Sequence, residues 1–180
     1  MRPTPPVIGF AAPSGTGKTT LMALVIAQLR HEGFHVGAIK HGHHPADPDK
    51  PGKDTHRFRQ AGAKTVLFAC PERWFLIQEL DPGAEPDLDQ QLTLFAHHDL
   101  VLVEGYKDDD HPKIAIYRDG VTDPETIKRL TNIIAIATDM PELAIGIEPA
   151  PPLLDLNDPQ AVSKFICHFT GLVQRADETS

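Results

Sequence analysis

The stretch GFAAPSGTGKTTLM, residues 9–22, leaves a chain few ways to fold. Ahead of its loop, VIGFAA (7–12) is an unbroken apolar run, β-branched at its start, and reads as a strand buried on both faces of a parallel sheet. Behind it, Leu21, Leu24, Val25 and Leu29 recur at helical spacing between Lys18 and Glu32, and Gly33 stands where a helix C-terminal glycine belongs. FHVGAIK (34–40) reads as a second strand. Strand, helix and strand within about 34 residues make a βαβ unit, whose crossover is right-handed.

The alternation continues. Residues 41–53, HGHHPADPDKPGK, hold three prolines and two glycines and read as irregular chain. DTHRFRQAG (54–62) has the form of a short helix capped by Asp54 and ended by Gly62. KTVLFA and RWFLIQEL predict two strands joined across CPE, and PDLDQQLTLFAHH predicts a helix. LVLVEG (100–105) is the most strand-like run of all, and KIAIYR and NIIAIATD are two more. Asp158 followed by Pro159 is a helix start, with Val162, Phe165, Ile166, Phe169 and Val173 on one face up to Arg175. The expectation is a single α/β domain over residues 1–175 and a polar tail at 176–180, with helices on both faces of a mostly parallel, twisted sheet.

The loop APSGTGKT (12–19) follows the Walker A pattern G-x-x-x-x-G-K-[ST], with Ala12 in the first glycine position. Gly15 and Gly17 let the chain turn so that the amides of Ser14 to Thr19 point inward at phosphate oxygens, and the following helix N-terminus completes an anion site. Lys18 reaches β- and γ-phosphates, Thr19 is placed for Mg²⁺, and Thr20 lies toward the α-phosphate. A phosphate loop needs an acidic partner from another strand, and HDLVLVEGYKDD supplies Glu104 at the end of an apolar run. A carboxylate at that edge holds a Mg²⁺ water or orients an attacking one; a surface glutamate at a strand end is the plain alternative.

Composition matters at one place. The chain is acidic, with a formal net charge of −8, which argues against general nucleic-acid or anionic-membrane binding. Yet residues 40–64 carry Lys40, Lys50, Lys53, Arg57, Arg59 and Lys64, six of 17 Lys and Arg, together with His41, His43, His44 and His56. This basic segment follows the second strand and so leaves the sheet at the edge that holds the phosphate loop. A pocket for a second phosphorylated group, a histidine metal site and a solvated polar loop are its three readings, and Asp54 is its carboxylate placed to meet Mg²⁺.

Three stretches together, FAAPSGTGKTTL (10–21), IKHGHHPADPDKPGKDT (39–55) and LVLVEGYKDDDHPKIAIYRDG (100–120), resemble the molybdopterin-guanine dinucleotide biosynthesis adapter family, most specifically in the histidines before DKPGKD. The resemblance implies a cytoplasmic, P-loop NTPase-like protein that binds GTP with Mg²⁺, hydrolyses it weakly and forms a homodimer through added antiparallel strands. It further implies work beside the guanylyltransferase that attaches GMP to molybdopterin. Ser14, Gly15, Thr16, Gly17, Lys18, Thr19 and Thr20 would bind the nucleotide; Glu104 would sit at the Mg²⁺ side with Thr19 and Asp54; and His41, Lys50, Lys53 and Asp54 would shape the adjoining pocket. KIAIYR and RWFLIQ are the candidate edge strands for pairing between subunits.

The sequence departs from G proteins generally in having no Asn-Lys-x-Asp guanine signature. NIIAIATDMP ends with Asp139 in a comparable place, as a guanine acceptor or as an ordinary loop aspartate. No arginine finger or water-orienting glutamine stands out, so hydrolysis should be slow. Two other functions fit the same scaffold: a small-molecule kinase or ATP-dependent ligase, and a metal-delivery GTPase using His41, His43 and His44. Cys70 and Cys167 read as reduced thiols, and neither a signal peptide nor a membrane-spanning run is expected.

Overall fold

The computed structural model describes residues 4–42 and 46–173. Their packing divides into two compact units, one built from the chain up to His41 and from Leu88 onward, the other from Gly42–Asp87.

In the first unit, six parallel strands lie in the order β2-β5-β1-β6-β7-β8: β1 Val7–Ala11, β2 Val36–Lys40, β5 Leu100–Glu104, β6 Lys113–Tyr117, β7 Ile133–Thr138 and β8 Leu153–Asp155. Period-two alternation decides which helix covers which side. Ile8 and Phe10 of β1, Leu100 and Leu102 of β5, and Ile114 and Ile116 of β6 face α1 (Lys18–His31) and α5 (Pro159–Thr170). The intervening residues Val101 and Val103 face Leu88 and Leu92 of α3 (Leu88–Leu92), and Ala115 and Tyr117 pack with Ile127 of α4 (Pro124–Lys128). Every residue of β5 and β6 is buried, which is why both read as continuous apolar runs. A fully buried aliphatic side chain there contributes roughly 1.5–3 kcal/mol.

The second unit pairs β3 (Thr65–Cys70) with antiparallel β4 (Arg73–Gln78), and α2 (Asp54–Gln60) packs against β3. The guanidinium of Arg59 organises the segment before it, with Nη1 2.8 Å from Asp47 and 3.3 Å from Asp49 and Nε 2.6 Å from Glu79.

Several expectations need correction. KIAIYR is not an edge: β6 lies between β1 and β7, and the open edges of the large sheet belong to β2 and β8. The signal that misled was brevity, since five residues suffice for a strand buried on both faces. PDLDQQLTLFAHH yields only the five-residue α3 and one 3-10 turn, Thr93–Phe95. Asp54 opens the first turn of α2 but makes no capping hydrogen bond; Lys53 holds the cap position. Helix α5 stops at Thr170 because Gly171 adopts the left-handed conformation, φ 69°, so Val173 lies beyond the helix and is exposed, and Phe169 in its last turn is half-exposed. Strand β8 and helix α4, the latter capped by Asp123, are additional elements.

Candidate phosphate-binding site

Because the sheet is parallel, the C-terminal ends of its strands share one edge. Phe10, Glu104 and Lys40 stand side by side there, since Phe10 is in register with Glu104 and Glu104 with Lys40. Alternation puts Glu104 on the same face as Leu100 and Leu102, the face that α1 covers. The carboxylate therefore meets the start of α1 directly. Thr19 Oγ1 donates to Glu104 Oε2 at 2.9 Å, and Lys18 Nζ lies 3.3 Å from Oε1. Lys40 Nζ donates to the same Oε1. Burial alone would push the Glu104 carboxyl up, but the hydrogen bonds from Lys40 and Thr19 and the charge of Lys18 outweigh it and hold the group below the usual carboxylate range.

The loop itself is shaped from inside. Thr16 is fully buried, and its hydroxyl donates to the Pro13 carbonyl at 3.0 Å, so its side chain is committed to the turn. Arg118, the residue after β6, donates from Nε to the Thr16 carbonyl at 3.2 Å and braces the loop from the other side. Gly17 has φ 88°, a conformation that favours glycine, and a Cβ there would lie 3.3 Å from the end of the Arg118 side chain, which would have to give slightly. Ser14, Thr19 and Thr20 are exposed, and Thr20 lines a cavity of about 320 Å³ with Gly15 and Gly17.

His41 follows β2, and its amide donates to the Glu104 carbonyl at 2.8 Å. Its ring stacks on Tyr106 with centroids 4.2 Å apart. Gly105, φ 107°, must lack a side chain, because a Cβ would stand 2.7 Å from that of His41. Lys50, Lys53 and Asp54 belong to the second unit and line a cavity of about 670 Å³ there, with Phe58, Phe68 and Phe75. His43 and His44 lie outside the described residues, and among the described residues no group of three or more His, Cys, Asp or Glu is arranged to hold a metal ion. Among the described residues no helix is long and apolar enough to cross a membrane.

The sequence reading found Lys18, Thr19 and Glu104, which the fold brings together. It counted Lys40 only as part of a basic run and gave Arg118 no role. Both are the last residue of a strand or the next one, on the parity that faces α1, and that rule would have found them.

Fold and loop define the class: an α/β protein of the P-loop NTPase-like kind. Residues 7–139 match the family model described as molybdopterin guanine dinucleotide synthesis protein B, and the chain belongs to that family. It is 40% identical over 167 residues to the molybdopterin-guanine dinucleotide biosynthesis adapter protein of Escherichia coli (strain K12), covering 91% of this chain and 93% of that protein. The protein of that name from Haemophilus influenzae is 36% identical over 176 residues, with 92% of each covered. Among solved structures, a MobB protein homolog from Bacillus stearothermophilus superposes with a TM-score of 0.68 at 27% identity, over 93% of this chain and 99% of that one.

Proposed function

We propose that this protein is an adapter in molybdopterin guanine dinucleotide biosynthesis that binds GTP with Mg²⁺ and serves a guanylyltransferase. The observation that carries the reading is the convergence of Lys18, Thr19 and Glu104 at the carboxyl edge of the sheet, directly after a Walker A loop. Membership of the family supplies the pathway.

The donor set suits Mg²⁺. A threonine hydroxyl and a carboxylate oxygen 2.9 Å apart are hard ligands, and Mg²⁺ characteristically takes one or two protein oxygens and completes its shell with phosphate and water. When bound, the ion would neutralise phosphate charge. Lys18 would leave Glu104 for the phosphates, and the loop amides would hold the oxygens from beneath. Glu104 is a poor general base, because three donors hold it and its carboxyl sits low. Slow hydrolysis follows, which suits an adapter better than an independent catalyst. In the second unit, the ammonium groups of Lys50 and Lys53 beside aromatic faces suit a phosphorylated heterocycle such as molybdopterin.

The test is calorimetry with GTP and ATP in the presence of Mg²⁺, paired with a steady-state assay. GTP preference and turnover that stays low without a partner are expected. Robust multiple turnover on a small-molecule acceptor by the protein alone would establish the kinase or ligase reading instead.

A further inference from the structure

We infer, resting on the P-loop reading, that Arg118 binds the nucleotide directly. Its guanidinium group takes the α-phosphate, on the side of the loop away from Lys18 and Glu104, and so grips diphosphate and triphosphate alike.

The sheet order defines the two sides. Glu104 and Lys40 end β5 and β2, to one side of β1, and Arg118 follows β6 on the other. Lys18 is the cation of the loop APSGTGKT, and it turns to the first side, 3.3 Å from Glu104 Oε1. Phosphate charge on the second side therefore needs a cation from elsewhere in the chain.

Arg118 is held at that side. Its amide donates to Thr122 Oγ1 at 3.0 Å, and its carbonyl accepts the Thr122 amide at 2.9 Å. Thr122 is buried, and the turn runs on into the Asp123 cap of α4, so the root of the side chain is fixed. The head group lies against the loop, with Nε 3.2 Å from the Thr16 carbonyl and Nη2 3.3 Å from the place of a Cβ on Gly17.

Electrostatics call for an anion there. Gly17 is the N-cap of α1, the end of the helix whose dipole repels a cation. A guanidinium carries five N–H donors. Nε uses one on Thr16; among the described residues the others make no hydrogen bond, and no carboxylate pairs with the group. A phosphate supplies the counter-charge, and two of its oxygens match the planar fork of donors.

Position selects which phosphate. Thr19 is tied to Glu104, on the side proposed for Mg²⁺ and the outer phosphates. Thr20 is the next residue of the helix, turned about 100° from Thr19. It shares a cavity of about 320 Å³ with Gly15, Gly17 and Arg118. The phosphate that Thr20 and Arg118 meet is the one away from the metal, the α-phosphate.

The test uses the full chain and equilibrium titration in Mg²⁺ with GTP, GDP and the two diastereomers of GTPαS. In these, sulfur replaces one or the other non-bridging oxygen of the α-phosphate. Wild-type protein should bind one diastereomer about tenfold more weakly than the other, the effect of spoiling one charge-assisted hydrogen bond. Arg118→Ala should weaken GTP and GDP by the same factor, about tenfold to a hundredfold, and should abolish the preference between diastereomers. Arg118→Lys keeps the charge without the fork. It should bind GTP better than Arg118→Ala and show a smaller diastereomer ratio than the wild type, a comparison that holds even if the alanine variant does not fold. An arginine that only braces the loop would weaken all four nucleotides together and leave the diastereomer ratio untouched. That result, or unchanged GTP affinity in Arg118→Ala, would overturn the α-phosphate contact and leave the phosphate loop standing. Wild-type protein that binds none of the four would overturn both.

Discussion

Lys40, the last residue of β2, stands in register with Glu104, the last residue of β5, and its ammonium group pairs with Glu104 Oε1. Lys18 reaches that same oxygen, so a single buried carboxylate gathers two cations at the phosphate edge. The arrangement solves two problems at once. Glu104 is only 4% exposed and would be costly without partners, and the largely buried Lys18 ammonium group gains a counter-charge 3.3 Å away. The Lys40 side chain is 66% exposed, so its pair with Glu104 adds little to stability and leaves it available to an incoming phosphate.

Lys18→Ala is expected to weaken GTP binding by about tenfold to a hundredfold, since a charge-assisted contact to phosphate is worth roughly 1.5–3 kcal/mol. GDP should suffer less than GTP, because Lys18 lies toward the γ-phosphate side with Glu104. Equilibrium titration of both nucleotides measures this. Unchanged micromolar GTP affinity in the variant would remove Lys18 from the cradle.

Glu104→Gln should spare binding of the triphosphate but blunt its dependence on Mg²⁺. The amide keeps one acceptor for Thr19 Oγ1 and loses the charge that both lysines and the metal shell require. GTP affinity measured with Mg²⁺ and with EDTA should differ less in the variant than in the wild type. If EDTA costs both proteins the same factor, Glu104 has no part in the metal site.

The sequence made the phosphate edge legible because local physics dictates it: an apolar strand, glycines where the loop turns, and a helix whose first residues carry Lys18 and Thr19. Glu104 was legible because a charged residue closes a run of buried Leu and Val. Lys40 and Arg118 were harder, since their roles depend on which strands become neighbours. Strand order is a long-range property that no window of sequence contains, and β6 was mistaken for an edge on the same account. The end of α5 was misjudged for the opposite reason. Apolar periodicity through Val173 outweighed Gly171, whose left-handed backbone ends the helix.

The β3–β4 hairpin predicts association between copies of the chain. Cross-strand register places Leu67 opposite Leu76 and Ala69 opposite Trp74 on one face, and Trp74 is 66% exposed. A two-stranded sheet is marginal alone, has two open edges and carries an apolar face, so a second copy that pairs across it meets all three needs. Sedimentation should show a homodimer at working concentration, and Trp74→Glu should shift it toward monomer. A monomeric wild type would count against the hairpin as an interface.

The last prediction concerns stability and pH, at the opposite end of the sheet from the phosphate edge. His111 is buried just before β6, and among the described residues neither ring nitrogen has a hydrogen-bond partner. Burial, helped by the charge of Lys113, lowers its pKa from 6.5 to about 4, against the opposing pull of Asp109 and Asp110. Lys113 itself is pinned, donating to the carbonyls of Asp109, His111 and Thr131. The fold therefore holds the imidazole neutral where the unfolded chain takes up a proton. Stability is unaffected above about pH 6.5 and falls as pH drops toward 4, by on the order of 3 kcal/mol over the whole window. Glu104 does not confuse the reading, because its folded pKa is lowered and its contribution is lost only below its ordinary value of 4.5. Urea midpoints at pH 7.5 and pH 5 should separate for the wild type and converge for His111→Leu, which also removes two unsatisfied polar atoms from the interior. Gly9→Ala tests the same packing from the other side. Its new Cβ would lie 2.4 Å from His111 Nε2, so it should cost about 1–3 kcal/mol beside histidine and less in a His111→Ser background. Equal cost in both backgrounds would show that the ring does not set the limit at Gly9.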